Sequence, residues 1–297
     1  MKFSIIIPTY NRAPLLPATI ASALSQDWDD FEVIVVDDGS TDSTPAIVDA
    51  IEDERLRYFR KDNEERNIAR NFGAAQASGD YLNFLDSDDH LFPNHLSVAA
   101  RLIEQRDRPE VIHLGARLVD QDGRFVHAIE VDDAINERLA DDNDLAMCGV
   151  LLRRDIARAY PFIPSPCAVV GEDHYLWLRL AARFPIHFDN TVTSQQLEHP
   201  GRSLRAIDPE RLAAGTREII ETLAADSAFM NFYGSRARRH FAHRYCFLCL
   251  HQTMAGQRRE GWQSAWLAFR NWPPVVFDKR FLAPLKKLVL GTSGDSD

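Results

Sequence analysis

Short apolar runs alternate with amphipathic stretches along the N-terminal part of the chain. Residues 3–8 and 31–36 are continuous runs rich in Ile and Val, a pattern typical of parallel strands that are covered on both faces. Between them, apolar residues recur at helical spacing and predict a helix from about residue 14 to residue 26. This β-α-β beginning predicts a parallel sheet, since parallel strands need a crossover connection.

The same alternation predicts the remaining elements. Further strands are expected at short runs of β-branched and aromatic residues: 57–59, 81–85, 111–114, 117–126, 186–188 and 191–197. Further helices are expected where apolar positions recur at helical spacing, namely around 47–51 and 68–72, over 93–105 and 172–183, and almost throughout from residue 209. We therefore predict an α/β domain over residues 1–205 and a helical C-terminal extension over residues 206–297.

The composition is that of an ordinary folded protein. The 297 residues are 45% hydrophobic and 26% charged, which excludes general disorder and fibrous repeats. No apolar run approaches the roughly 20 residues that cross a bilayer, and the run at residues 3–8 is too short for a signal peptide. We therefore expect the chain to stay in the cytoplasm.

The net charge of −10 conceals an asymmetry. Residues 234–290 contain eleven Lys and Arg but only two acids, Glu260 and Asp278, so the rest of the chain is acidic. An acidic body excludes general nucleic-acid binding. The basic part is interleaved with aromatic residues, which suits helices that rest on the anionic inner face of a membrane. It equally suits a helical subdomain that packs on the acidic body with its aromatics in the core, and both interpretations stay open.

Four cysteines are too few for a disulfide scaffold, and a reducing compartment would keep them as thiols. Cys246 and Cys249 have C-x-x-C spacing. They lie in an apolar helical stretch without a second cysteine pair, which favours buried thiols over a metal or redox site.

Polar side chains follow three of the predicted strands at the point where each strand ends. They lie in residues 9–12, in Asp37-Asp38 and in residues 86–89. Because ligands of open α/β sheets bind at the carboxyl ends of the strands, we expect these clusters to meet in one crevice. The chain has neither a G-x-G-x-x-G turn nor a P-loop sequence, so a phosphate ligand would need another partner.

Asp86 and Asp88 could provide that partner through a metal ion. Their spacing places both carboxylates on the same side of an extended segment, where oxygen ligands could hold Mg²⁺ or Mn²⁺. Because Asp-x-Asp is a common sequence, a solvated acidic turn that caps the following helix is the competing interpretation.

Five segments of the chain resemble, in order and spacing, the motifs of the inverting glycosyltransferases of family 2, which have the GT-A fold. They are residues 4–12, 32–42, 69–71, 79–89 and 171–173, so the resemblance covers about residues 1–200. It implies a mixed, mostly parallel sheet flanked by helices. It also implies transfer of a sugar from a nucleotide-diphosphate sugar, usually a UDP-sugar, to a hydroxyl of a glycan or lipid-linked acceptor, with inversion at the anomeric carbon.

The resemblance also implies roles for single residues. Thr9, Tyr10 and Asp38 match positions that hold the nucleotide, and Arg70 matches an arginine near the nucleotide. Asp86 matches the acid near the ribose and metal. Asp88 matches the metal ligand. Asp37 is expected to be structural, and Arg66 and Arg70 could equally form a solvated helix face. His199 resembles a histidine that some members place near the metal or diphosphate, and the alternative is a surface-loop histidine.

Asp173 matches the catalytic base, with Glu172 as its neighbour. An inverting transfer needs a carboxylate that takes the proton of the acceptor hydroxyl while the opposite face of the sugar is attacked. The alternative is that both acids merely cap the helix that they begin, where negative charge is favourable.

The chain departs from the family pattern in two places. Glu64, Glu65 and Arg66 stand where many members have small residues, and unpaired acids there would repel a diphosphate. The Q-x-x-R-W signature of processive synthases is absent, so we expect one sugar to be added per encounter. Two other functions remain open: a catalytically silent nucleotide-sugar-binding or scaffold protein, and a hydrolase or phosphotransferase that uses the same acidic site.

Overall fold

The computed structural model describes residues 1–198 and 208–290. These residues form one mixed sheet from β1 (Phe3–Thr9), β2 (Phe31–Asp37), β3 (Leu56–Arg60), β4 (Tyr81–Phe84), β5 (His90–Leu91), β6 (Val111–Val119), β7 (Phe125–Ile129), β8 (Val150–Arg153) and β9 (Ile186–Leu197). The strand order is β3-β2-β1-β4-β8-β6-β9-β5, and β7 pairs with β6 beside this row.

The first four strands are parallel, as the alternation of elements predicts. β1 lies between β2 and β4, with Phe3 opposite Phe31 on one side and opposite Tyr81 on the other, and β2 continues to β3. The chain order therefore reverses between β1 and β4, which is where open α/β sheets form a crevice at the carboxyl ends of their strands. The later strands β8, β7 and β5 pair in antiparallel fashion.

Helices cover the sheet and form the C-terminal part. They are α1 (Leu16–Leu24), α2 (Thr44–Asp49), α3 (Arg66–Gln76), α4 (His95–Gln105), α5 (Ile135–Arg138), α6 (Arg154–Ala159), α7 (Glu172–Ala181), α8 (Pro209–Ala225), α9 (Ser227–Tyr233), α10 (Ser235–Met254), α11 (Arg258–Asn271) and α12 (Lys279–Leu290). Pro273–Phe277 is a 3-10 turn, in accord with the predicted break at two consecutive prolines. Within the described residues, no helix combines the length and the apolar character that a membrane span requires.

Two apolar clusters fill the space on the two faces of the sheet. Every residue of β1 and β2 is buried, and alternate residues belong to different clusters: Ile5 and Ile7 to one, Ile6 to the other. This confirms that the continuous apolar runs are strands covered on both faces.

The predicted boundaries are wrong in the second half of the sheet. Residues 111–119 form one strand, and the hairpin turn follows it because the Asp120 carboxylate accepts the backbone N–H groups of Asp122 and Arg124. Residues 186–197 are one irregular strand instead of two. β8 was not predicted, because its apolar run lacks the period of either a helix or a strand.

The C-terminal helices share an apolar core with the sheet. One cluster contains Ile6 and Ile34 of the sheet together with Phe241 of α10 and Leu288 of α12. Within α10, Cys246 and Cys249 are buried free thiols, and burial raises the pKa of Cys246 to about 12 and that of Cys249 to about 11. The predicted boundary near Arg205 lies outside the described residues.

Candidate active site

A cleft of about 1150 Å³ opens at the carboxyl ends of β1, β2 and β4. It is lined by all the predicted site residues that the structure describes: Thr9, Tyr10, Asp38, Arg70, Asp86, Asp88 and Asp173. His199, the remaining predicted site residue, lies outside the described residues. The expectation that the polar strand ends meet in one crevice is therefore correct.

The acidic loop after β4 forms the centre of the cleft. Asp86, Asp88 and Asp89 each offer a carboxylate oxygen, and these oxygens lie within 4.8 Å of one another. Asp89 is buried and accepts the backbone N–H of Leu197 in β9 at 3.2 Å, which anchors the loop to the sheet. The loop does not cap α4, which begins only at His95 with Asn94 at its N-cap. A set of hard oxygen donors at this spacing fits Mg²⁺ or Mn²⁺.

Arg70 connects this loop to the opposite wall of the cleft. Its side chain is only 1% exposed, and it donates to Asp86 Oδ1 at 2.5 Å and to Glu172 Oε1 at 3.1 Å. Burial disfavours the charged guanidinium, but the two carboxylates outweigh it and raise the pKa of Arg70. Arg70 also stacks on the Phe162 ring at 5.2 Å. The interpretation as a solvated helix face is therefore wrong for Arg70.

Glu172 and Asp173 begin α7, but their surroundings differ. Glu172 is buried, and its carboxylate accepts from Arg70 and pairs with Arg66 Nε at 3.2 Å. Burial raises the pKa of Glu172, while the two arginines oppose that shift. Asp173 is half-buried at the cleft wall and accepts the Asn143 side-chain amide at 2.9 Å and the His174 backbone N–H at 2.7 Å. The carboxylate of Glu172 therefore pairs with two arginines, whereas these two partners of Asp173 are neutral.

Two adjacent aspartates at the end of β2 face different surroundings. Asp37 is fully buried and accepts the Tyr58 hydroxyl at 2.7 Å, which fits the expected structural role. Asp38 lines the cleft and accepts Lys61 Nζ at 2.8 Å and the backbone N–H groups of Glu65 and Glu64 at 2.7 and 3.1 Å. Asp38 therefore holds the loop over residues 61–65 against this end of the cleft.

Thr9 and Tyr10 lie beside Asp38 at the end of β1. The Thr9 carbonyl accepts the backbone N–H of Asp38 at 2.8 Å, which ties the two strand ends together. The Thr9 hydroxyl is buried at the cleft and has no hydrogen-bond partner in the described part of the chain, whereas the Tyr10 ring is exposed. A buried hydroxyl without a partner is unfavourable unless a ligand or water satisfies it.

The charged loop that departs from the family pattern is neutralised within the structure. Glu64 pairs with Lys61 at 2.7 Å, Glu65 pairs with Arg211 of α8, and Arg66 pairs with Glu172. The repulsion of a diphosphate by unpaired acids therefore does not arise here.

α10 contributes a wall of the cleft that was not predicted from the sequence. Arg244 is the main residue of this wall, and it donates to the Val170 carbonyl at 2.9 Å. Burial lowers the pKa of Arg244 to about 10, although Asp173 and Glu172 oppose that shift. Its Nη1 lies 2.5 Å from where a side chain on Gly171 would begin, so any larger residue at position 171 would displace the guanidinium. The basic composition of residues 234–290 is the only sequence signal for it.

Other bases of the C-terminal part contact the acidic body beside the cleft. Arg280 forms a double hydrogen bond with Asp142 at 2.8 and 2.9 Å, and Arg239 pairs with Asp141 at 3.1 Å. For these bases, the interpretation as a helical subdomain packed on the body is correct.

Residues 4–145 match the model of glycosyl transferase family 2. The GalNAc(5)-diNAcBac-PP-undecaprenol beta-1,3-glucosyltransferase of Campylobacter jejuni is 37% identical over 128 residues, which are 42% of this chain and 40% of that protein. Across eight curated relatives, the matching segment spans 19% to 65% of the relative's own length.

Solved structures share the fold over nearly the whole chain. The crystal structure of S. aureus TarS 1-349 in complex with UDP-GlcNAc has a TM-score of 0.68 at 20% identity, covering 97% of this chain and 90% of that one. The mannosyltransferase PcManGT from Pyrobaculum calidifontis in complex with GDP-Man and Mn²⁺ has a TM-score of 0.58 at 17% identity, covering 100% of this chain and 88% of that one. Together, the family match over residues 4–145, the shared fold and the cleft support a family 2 glycosyltransferase with the GT-A fold.

Proposed function

We propose that this protein is an inverting glycosyltransferase that moves a single sugar from a UDP-sugar to an acceptor hydroxyl. The observation that carries the proposal is the double contact of Arg70, which joins the acidic loop after β4 to the start of α7. One buried guanidinium thereby fixes the distance between the groups that would hold the donor diphosphate and the group that would activate the acceptor. Such fixed geometry is what group transfer requires.

The nucleotide end of the donor would lie against Thr9, Tyr10 and Asp38. The Asp38 carboxylate, which Lys61 and two backbone N–H groups hold at the cleft, would accept the imide N–H of uracil. The buried Thr9 hydroxyl would gain a partner in the same step. The complex of TarS 1-349 with UDP-GlcNAc supports a uridine nucleotide, and the GDP-Man complex of PcManGT makes the guanine nucleotide the competitor to test.

Asp86 and Asp88 would hold Mn²⁺ or Mg²⁺ beside the diphosphate, with His199 as a further ligand. The metal would supply Lewis-acid stabilisation of the charge that develops on the leaving diphosphate. Arg70 fixes the orientation of the Asp86 carboxylate, and Asp89 ties the loop to β9, so both ligands would be held in place before the donor binds. The Mn²⁺ complex of PcManGT supports this proposal.

Asp173 would act as the general base. The acceptor O–H proton moves to the Asp173 carboxylate while the acceptor oxygen forms a bond to the anomeric carbon and the bond from that carbon to the diphosphate oxygen breaks. Attack from the face opposite the leaving group inverts the anomeric configuration. Glu172 is unsuited to this task because its carboxylate is already engaged with Arg66 and Arg70.

The acceptor would enter from the side of the cleft that β7, the loop over residues 141–145 and α10 form. We propose a glycan or lipid-linked acceptor of surface polysaccharide or glycolipid assembly, used at the inner face of the membrane. The Campylobacter jejuni relative, whose name specifies an undecaprenol-linked acceptor, supports this class. We further propose that the glycosyltransferase domain ends near Arg205.

A donor panel tests the proposal. Thermal unfolding is measured with UDP-, GDP- and dTDP-sugars, each with Mn²⁺ and with EDTA, and the best donor is then tested for transfer or slow hydrolysis. We expect a UDP-sugar to raise Tm in Mn²⁺ and EDTA to abolish both the shift and turnover. Full donor affinity in EDTA would contradict the metal site, and the absence of any shift would favour a silent scaffold.

A further inference from the structure

Most bases of the C-terminal helices fall into two groups. Arg236, Arg239, Arg244 and Arg280 contact carboxylates or carbonyl groups of the acidic body. Five others on α11 and α12 are exposed, and none of them forms an ion pair within residues 1–198 and 208–290: Arg259, Arg270, Lys279, Lys286 and Lys287. Arg258 is exposed as well, but it donates to the Leu288 carbonyl of α12. Packing on the body therefore accounts for the first group and leaves the second without a role.

The outward face of α11 is aromatic. Trp262, Trp266 and Phe269 follow one another at helical spacing and are 48%, 56% and 45% exposed. The opposite face, which packs on the rest of the protein, consists of small residues, including Gly261 and Ala265. The expectation that aromatics at helical spacing form the core is therefore wrong for α11.

Basic side chains accompany these rings. The Arg270 guanidinium lies 5.3 Å from the Trp266 ring centre, and Arg259 borders the depression between Trp262 and Trp266. Phe277, in the 3-10 turn that follows α11, is 87% exposed. Exposed aromatic rings bordered by cations suit the interfacial region of a bilayer, where each ring has one apolar and one wet side.

α12 repeats this arrangement with aliphatic residues. Leu282, Lys286 and Val289 lie at helical spacing on its exposed side, whereas Phe281 and Leu288 are buried. Soluble proteins rarely expose large apolar patches without a binding role. The outward faces of α11 and α12 thus share one chemistry, which is apolar side chains among unpaired bases.

We propose that the outward faces of α11 and α12 bind the surface of a bilayer that contains anionic lipids. Trp262, Trp266 and Phe269 would enter the interface, and the five outward bases would contact the lipid headgroups. Charge complementarity favours this occupant, because Glu260 is the only exposed acid on these two helices. This binding is separate from sugar transfer and does not depend on it.

Flotation with vesicles tests the proposal on the full chain. The vesicles contain phosphatidylcholine alone or phosphatidylcholine with phosphatidylglycerol, at physiological and at high salt. We expect binding to the anionic vesicles only, lost at high salt, and reduced at least about tenfold by Trp262→Ser combined with Trp266→Ser. The matched control is Phe125→Ser, which changes an exposed aromatic on the body away from these helices and should float like the wild type.

A second variant and a second measurement separate the alternatives. Lys286→Glu with Lys287→Glu keeps the aromatic face and should weaken binding as strongly, since the charge is reversed next to the lipid. Binding that is unaffected by both double variants, or equal on neutral vesicles, would overturn the proposal. A dimer of the wild type that the tryptophan variant dissociates, without any lipid binding, would assign the face to a second copy of the chain instead.

Discussion

At the scale of single residues, two neighbouring acids in the cleft have different contacts. Glu172 pairs with Arg66 and with Arg70, and only Arg70 of these two also pairs with Asp86, whereas Asp173 accepts from a side-chain amide and a backbone N–H. Both environments are set at the first turn of α7, which begins after Gly171 in a left-handed conformation with φ 75°. The orientation of the proposed base therefore depends on a backbone conformation that glycine adopts readily.

Gly171→Ala should reduce both stability and transfer. A side chain at φ 75° costs about 1 kcal/mol, and its Cβ would displace the Arg244 guanidinium from the cleft wall. Gly123→Ala is a matched control, because Gly123 has φ 76° but no atom within 4 Å of the added carbon. Urea unfolding and transfer rates are measured for both variants. We expect both variants to lose a similar amount of stability and only Gly171→Ala to lose transfer. Equal transfer rates in the two variants would contradict a role for Arg244.

Arg70 and Arg244 show how far the sequence predicts the site. The motif around Arg70 indicated its place near the nucleotide, but not that its guanidinium would be buried between Asp86 and Glu172. Arg244 was missed because its partner, the Val170 carbonyl, lies 74 positions away in the chain. Contacts between distant segments depend on how helices dock, and helical periodicity specifies which face is apolar but not what that face meets.

At the scale of elements, a buried carboxylate links β2 to its neighbours. Glu32 accepts hydrogen bonds from Ser4 of β1, from Arg57 of β3 and from Ser78 before β4. Burial alone would raise the pKa of Glu32, but the donors from Ser78, Arg57 and Ser4 outweigh it and lower the pKa to about 2. The charged form of Glu32 therefore stabilises the central strands.

Glu32→Gln should destabilise the protein at neutral pH by on the order of 2 kcal/mol. Because the pKa is lower in the folded state than in the unfolded state, this contribution is complete above about pH 5 and declines as pH falls towards about 2. Denaturant midpoints of wild type and variant between pH 7 and pH 3 test this, with the exposed Glu54→Gln as control. A difference between wild type and variant that stays constant over this range would contradict the account.

The sequence predicted β1, β2 and β4 well because both faces of these strands are buried, so each is a largely apolar run. It failed at β6, β7 and β9, where the pairing shifts in register or the strand is partly exposed. The turn at Asp120 is determined by side-chain hydrogen bonds that hydrophobic patterning does not contain.

At the scale of the whole molecule, the C-terminal helices belong to the same core as the sheet. The cluster that contains Ile6 and Ile34 also contains Tyr233, Ala237 and Phe241. The ion pair of Arg280 with Asp142 is largely exposed and should contribute no more than about 1 kcal/mol, so apolar burial holds the two parts together.

We expect the two parts to unfold together. Scanning calorimetry of the full chain should show one transition, because a shared apolar core makes unfolding cooperative. Truncation after residue 205 should give an unstable or aggregating protein, since the apolar surface that α8 and α10 cover would be exposed. Two separate transitions, or a stable truncated protein with full donor binding, would show that the helices are an independent module.

We propose that Asp173 activates the acceptor beside a donor site that it does not build. The direct test measures donor binding and single-turnover transfer for Asp173→Asn, with Glu172→Gln as the matched variant. Asparagine keeps the shape of the side chain and loses the proton acceptor, so donor binding should persist while transfer falls by roughly 100-fold or more. Glu172→Gln should chiefly lower stability, because Arg66 and Arg70 lose a charged partner. Wild-type transfer in Asp173→Asn, or loss of transfer only in Glu172→Gln, would contradict the account.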